Sequence, residues 1–320
     1  MDVIWRRTKN LMALLFFGAL AALLYSRFRD MDWTQVWLSV RALEAGALLN
    51  GLAFTALAYL AFAGYDLLSR RHLQHRVPVV RVTAIALVAY ALNLNLGALI
   101  GGWASRLRLY SKAGLNAATT TQIIGLGVLT NWTGYLLIAG LVFTCLKPEL
   151  PDSWGPSSAT LPVIGIALLI LLSLYLLLCA TKSGQELTLR SFILRIPSLR
   201  FAMLQLGIAL VHWLSMAMVL RALLPEGLPL PTIVAVLLMA SIAGAATHVP
   251  GGLGVIEAVF VGALGERLPP AQLIGSLFAF RATFYLTPLF LALVTYPFLE
   301  RVRLRCTESG KAASPRLIKA

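Results

Sequence analysis

The chain has 320 residues, of which 59% are apolar and 12% charged, and its mean hydropathy is +0.81. Soluble domains carry about 25% charged residues, so this composition excludes an ordinary cytosolic enzyme, a disordered tail and a fibrous protein. The formal charge is +14, from 27 Lys and Arg against 13 Asp and Glu. The basic residues flank apolar segments and fill the C-terminal tail, which is the pattern of a multi-pass membrane protein rather than a nucleic-acid binder.

At about 20 apolar residues per crossing, the length allows roughly six to nine passes. No polar stretch is long enough for a separate soluble domain, so one integral membrane domain is expected over 1–300, with a basic cytoplasmic tail over 301–320.

The N-terminus reads Trp5-Arg6-Arg7-Thr8-Lys9, followed by an apolar run from Leu11 to Tyr25. It reads as an anchor rather than a signal peptide, because no small-residue cleavage site precedes Arg27, Arg29 and Asp30. Asp32 to Trp37 predicts a short capped helix with its tryptophans at headgroup level. The further apolar segments are 44–65, 79–100, 119–146, 160–180, 201–220, 232–248, 253–265 and 272–299.

Loop charge assigns the sides. Loops 69–81 and 181–200 and the tail after Glu300 are rich in Arg and Lys, so both termini are expected in the cytoplasm. Loop 147–159 holds Glu149, Asp152 and Trp154 and is expected outside. Parity then requires that one of segments 79–100 and 119–146 does not cross. The solution is two re-entrant hairpins. One spans about 79–118, enters from the cytoplasm and has its tip from Asn93 to Gly102; the other spans about 232–266, enters from outside and has its tip from His248 to Gly254. Both tips carry helix breakers. The expected fold is therefore an all-α polytopic membrane protein: about six spanning helices plus two oppositely oriented hairpins, forming an inverted repeat. At an offset of about 150 residues, Gly101-Gly102 falls on Gly251-Gly252 and Tyr135 on Tyr285.

A lipid-facing charge at mid-bilayer costs about 2.5–3.5 kcal/mol, so charges inside spans need a reason. Arg281 lies deep in its segment and shares a face with Tyr285; it can clamp a phosphate or pair structurally with Glu257 or backbone carbonyls. Glu257 follows the glycine-rich tip, where a helix dipole favours an anion, and can act in gating or proton coupling. Gly251, Gly252 and Gly254 can present N–H groups to an anion. Arg106 and Arg108 can bind headgroups at the cytoplasmic mouth or serve as ordinary anchors. Asp66 is expected to pair with Arg70, four residues on. Asn93, Asn95, Asn131, Trp132 and His248 are candidates to line a cavity.

Three cysteines and four scattered histidines give neither a disulfide framework nor a metal site. No hydrolase, metalloprotease or Walker motif is present, so no enzyme activity and no cofactor are expected.

Several blocks together resemble a known family. They are Gly101-Gly102 with Arg106, Arg108 and Tyr110; Thr130-Asn131-Trp132 with Tyr135; Ser241, Gly244 and His248-Val249-Pro250-Gly251-Gly252-Leu253-Gly254 with Glu257; and Arg281, Tyr285 and Pro288. The chain resembles the membrane domain of lysylphosphatidylglycerol synthase/flippase proteins from about Trp33 to Glu300. The resemblance implies lipid handling. The chain ends about 20 residues after its last segment, so it resembles stand-alone inner-membrane members without the aminoacyltransferase domain. The implied substrate is an anionic glycerophospholipid such as phosphatidylglycerol or cardiolipin, translocated without ATP hydrolysis by this chain, with a separately encoded lipid synthase as a partner. The rival readings are a proton-coupled transporter of a small anion and a non-transporting membrane partner of a lipid-synthesis or envelope complex.

Overall fold

The computed structural model describes residues 33–146, 148, 160–189, 192–247 and 249–301. The expected N-terminal anchor, most of loop 147–159, His248 and the tail beyond 301 lie outside the described residues. In order the helices are α1 (Trp33–Arg41), α2 (Ala45–Leu73), α3 (Val79–Leu96), α4 (Ser105–Lys112), α5 (Ala117–Cys145), α6 (Thr160–Thr181), α7 (Leu199–Leu223), α8 (Leu230–Thr247), α9 (Val255–Leu264), α10 (Pro270–Phe280) and α11 (Thr287–Arg301). Wide π-helical turns at Ala98–Ala104 and Arg281–Leu286 join α3 to α4 and α10 to α11.

Among the described residues the secondary structure is helical apart from one small element. Strands β1 (Glu186–Leu189) and β2 (Phe192–Arg195) pair antiparallel, Glu186 opposite Arg195, in the basic loop. The segment pattern gave no hint of this hairpin.

Seven helices among the described residues are long and apolar enough to cross a membrane, with α10 and α11 counted as one. Five of them run from end to end of the bundle. α2 and α7 are antiparallel: Gly51 meets Leu223 at one end, and the His72 and Phe201 rings lie 4.9 Å apart at the other. α5 runs parallel to α7, with Gln205 donating to Thr130 at 2.7 Å and the Trp213 indole to the Asn131 carbonyl at 3.3 Å. α6 returns against α5 through the close approach of Gly140 and Gly165. One end of the bundle therefore gathers Arg70, Arg71, Arg81, Lys112, Lys182, Arg200 and Arg301, and it is called the basic end.

The other two long helices, α3 and α8, are the first arms of hairpins. α3 leaves the basic end and stops at Gly97, whose N–H caps the Asn93 carbonyl at 2.9 Å. The π turn then folds back so tightly that a Cβ on Gly101 would overlap the Leu92 carbonyl. α4 carries the chain back to the basic end. The second hairpin is its inverse: α8 starts at the opposite end, turns at Pro250–Gly252 with Gly251 at φ +66°, and returns as α9. α3 and α8 are each 18 residues long.

The first tip touches both the second tip and the second π turn. A Cβ on Gly251 would sit 3.5 Å from the Leu94 carbonyl oxygen, and the Asn95 amide donates to the Tyr285 carbonyl at 3.3 Å.

Candidate functional site

A cavity of about 510 Å³ opens where the tips meet. Its polar lining is Tyr90 and Asn93 from α3, Asn131 from α5, His212 from α7, Ser241 from α8 and Tyr285 from the second π turn, with Gly251 and Gly252 at the second tip. The remaining walls are apolar, among them Leu96, Leu99 and Ile100 of the first tip, which are 48%, 79% and 71% exposed. The cavity is therefore open along the first tip. Among the described residues its lining contains no Arg, Lys, Asp or Glu.

Arg281 sits behind the second tip rather than in the lining. Its Nε and Nη2 form a fork on the two Glu257 oxygens, the Nη2 bond being 2.9 Å. Nη1 and Nη2 also donate to the Gly251 and Gly252 carbonyls, at 2.9 and 3.1 Å. The guanidinium lies over the Tyr285 ring, 5.2 Å from its centroid. Four of its five N–H groups are thus engaged. Glu257 completes the knot by accepting from the Gly254 N–H at 2.9 Å, so Gly254 caps α9 instead of pointing at an open anion site.

A second buried ion pair lies nearer the basic end. Arg106 donates to Asp66 from Nε at 3.2 Å and from Nη2 at 3.4 Å, and the Tyr110 hydroxyl donates to the same carboxylate at 2.8 Å. This corrects the expected Asp66–Arg70 pair. The i, i+4 rule considers one helix at a time, whereas the first hairpin brings Arg106 across to α2. Arg70 instead donates to the Val77 carbonyl at 2.7 Å. Arg108 points outward and pairs with Glu300.

Of the residues expected to line a cavity, Asn93 and Asn131 do so. Asn95 is spent on the Ala91 and Tyr285 carbonyls and is not among the lining residues. Trp132 is 43% exposed on the far side of its helix, edge-on to Tyr135. His248 lies outside the described residues.

Sequence reasoning missed Tyr90 and His212. The His212 ring is 2% exposed, with Nδ1 3.0 Å from the Ala58 carbonyl and Nε2 3.2 Å from the Tyr90 hydroxyl. A histidine and a tyrosine in the middle of apolar helices were the available signal.

Residues 10–292 match the family model described as lysylphosphatidylglycerol synthase TM region. The chain belongs to that family. It is a lipid-related family of membrane proteins, and this member is a multi-pass membrane protein. Among its relatives, the inner membrane protein YbhN of Escherichia coli is 37% identical over 310 residues, covering 97% of this chain and 98% of that one. A protein of Synechocystis described as uncharacterized is 30% identical over 298 residues, covering 89% of this chain and 90% of its own.

Proposed function

We propose that this protein translocates an anionic glycerophospholipid, such as phosphatidylglycerol or cardiolipin, across a bacterial inner membrane. The observation that carries the reading is the cavity between the two hairpin tips. It is polar where a headgroup would sit and is open along the first tip at Leu96, Leu99 and Ile100, where acyl chains would remain in the bilayer. The family and the inner-membrane name of the E. coli relative support it.

The two hairpins are re-entrant in this reading. The basic end faces the cytoplasm, as the positive-inside rule requires, and both termini lie there. Arg281 is held by Glu257 and the tip carbonyls. An arriving phosphate competes with Glu257 for the guanidinium, because both offer two oxygens in one plane. Glu257 is then the gating carboxylate. Opposed hairpins of this kind alternate access by rocking of the two repeats. No ATP-hydrolysing motif is present in the chain, so the energy comes from outside it.

The test is lipid scrambling in proteoliposomes with labelled phosphatidylglycerol, cardiolipin and phosphatidylethanolamine. Wild type is expected to move the anionic lipids, and Arg281→Ala to lose that movement while remaining folded. Undiminished transport by Arg281→Ala would overturn the assignment. Cysteines placed at Trp103 and Leu253, labelled from each side, test the re-entrant geometry.

A further inference from the structure

The translocator reading leaves an electrostatic gap. The Arg281 guanidinium that a phosphate would take is already neutralised by Glu257, no other cation is among the described lining residues, and burying an uncompensated anion is expensive. The structure contains a group that can supply the missing charge.

The Nδ1 of His212 faces the Ala58 carbonyl at 3.0 Å. A carbonyl oxygen only accepts, so Nδ1 carries the ring hydrogen. Nε2 of the neutral ring is therefore a bare acceptor, and the Tyr90 hydroxyl, 3.2 Å away, donates to it. Tyr90 has a single hydrogen, and His212 consumes it. Both residues line the cavity.

We propose that His212 takes up a proton as the lipid phosphate enters, and that Tyr90 relays the change to the ligand. The added proton sits on Nε2, which then donates to the Tyr90 oxygen. The Tyr90 hydrogen rotates away from the ring and donates to a phosphate oxygen. No covalent bond other than N–H changes: one proton enters with one negative charge, and both leave together. The lipid anion thus moves as a neutral pair with a proton, which couples its transport to a proton gradient.

The surroundings fit this role. From α2, the Phe62 and Tyr65 rings face the imidazole at 5.5 and 5.8 Å. From α3 comes Tyr90, and beside His212 on its own helix lies Trp213. Tyr285 and Asn131 lie across the cavity. The formal charges that touch these rings come as two ion pairs. Arg281–Glu257 lies against Tyr285, and Arg106–Asp66 against Phe62, with the guanidinium 5.5 Å from that ring. Glu257 already has both carboxylate oxygens engaged, by the Gly254 N–H and two Arg281 nitrogens. His212 needs only one hydroxyl rotation.

The experiment adds short-chain phosphatidylglycerol to the purified full-length protein in weakly buffered detergent. Lipid binding and proton uptake are read together between about pH 5 and 8, the range over which an imidazole titrates. Wild type is expected to bind the lipid and, above the free imidazole's titration, take up close to one proton per lipid. His212→Gln should bind with no uptake and a flat pH profile. Tyr90→Phe should keep the uptake and lose roughly tenfold in affinity, the worth of one hydrogen bond to a charged group. Thermal unfolding confirms that each variant is folded. Binding by wild type without proton uptake, or the same uptake in His212→Gln, overturns the relay and leaves the lipid reading standing. Absence of phosphatidylglycerol binding overturns both.

Discussion

The two hairpins carry charge in opposite senses. The return arm of the first brings a cation, Arg106, to an anion on α2. The return arm of the second brings an anion, Glu257, to the cation that opens the π turn after α10. The first pair is sealed: the Arg106 and Asp66 side chains are 8% and 1% exposed, and Tyr110 closes over them. The second borders the cavity, and its guanidinium also holds two carbonyls of cavity-lining residues. The Arg106–Asp66 pair braces the first hairpin against α2. In the proposed cycle the Arg281–Glu257 pair is the one that exchanges partners.

The largest expected effect separates the two. Asp66→Asn leaves Arg106 buried without a carboxylate and should cost about 3–5 kcal/mol. Glu257→Gln leaves Arg281 its two carbonyls and should cost about 1–3 kcal/mol. Unfolding of the purified protein in detergent measures both, and equal losses would erase the distinction.

The tips differ next. Gly101→Ala drives a methyl group into the Leu92 carbonyl and should cost about 3 kcal/mol. Gly251→Ala meets only ordinary contacts and suffers chiefly from its φ of +66°, so about 1 kcal/mol is expected. The same unfolding measurement ranks them; a larger loss at Gly251 would mean that the second tip is the tighter one.

The smallest effects lie at the basic end. Glu300→Gln breaks a solvent-exposed pair with Arg108 and should leave stability unchanged within error. His75 follows α2 and has both ring nitrogens buried without a partner. Burial and then the Arg70 charge hold its pKa below the ordinary imidazole value, with Asp66 opposing. Its neutral form is favoured in the folded state, so that contribution is present above about pH 6.5, the unperturbed value, and is lost as the pH falls below it. His75→Gln should flatten the acid side of a stability–pH curve, and an unchanged slope would place the acid sensitivity elsewhere.

Much of the architecture was legible in the sequence. Apolar runs located the helices to within a few residues at most ends, although α2 extends to Leu73 rather than 65 because its last turns are amphipathic and basic. Loop charge and parity led to two opposed hairpins, and the helix breakers marked both tips. The Arg281–Glu257 contact is one of the two roles that the depth of Arg281 in its segment suggests. Residues that meet through the hairpins were harder to see. Arg106 finds Asp66, and Tyr90 finds His212, 40 and 122 positions apart. Periodicity within one helix carries no information about such partners. The β1–β2 pair in the basic loop was hidden for another reason: two four-residue strands are too short for their pattern to stand out from a polar loop.

The π turn at Arg281–Leu286 has a consequence for register. A π turn holds more residues than an α turn, so the helix entering it and the helix leaving it are out of step by one residue, roughly 100° of rotation. That extra residue sets the phase of four things at once. It aims Arg281 at Glu257, turns the Tyr285 ring to the cavity, and offers the Phe284 and Tyr285 carbonyls to Tyr59 and Asn95. Removing a single residue from this stretch would swing the upper helix by more than a quarter turn against the lower. The ion pair, the cavity wall and the anchors to α2 and α3 could not then all be kept, so this irregular turn works as the keyway that locks them to a common shaft.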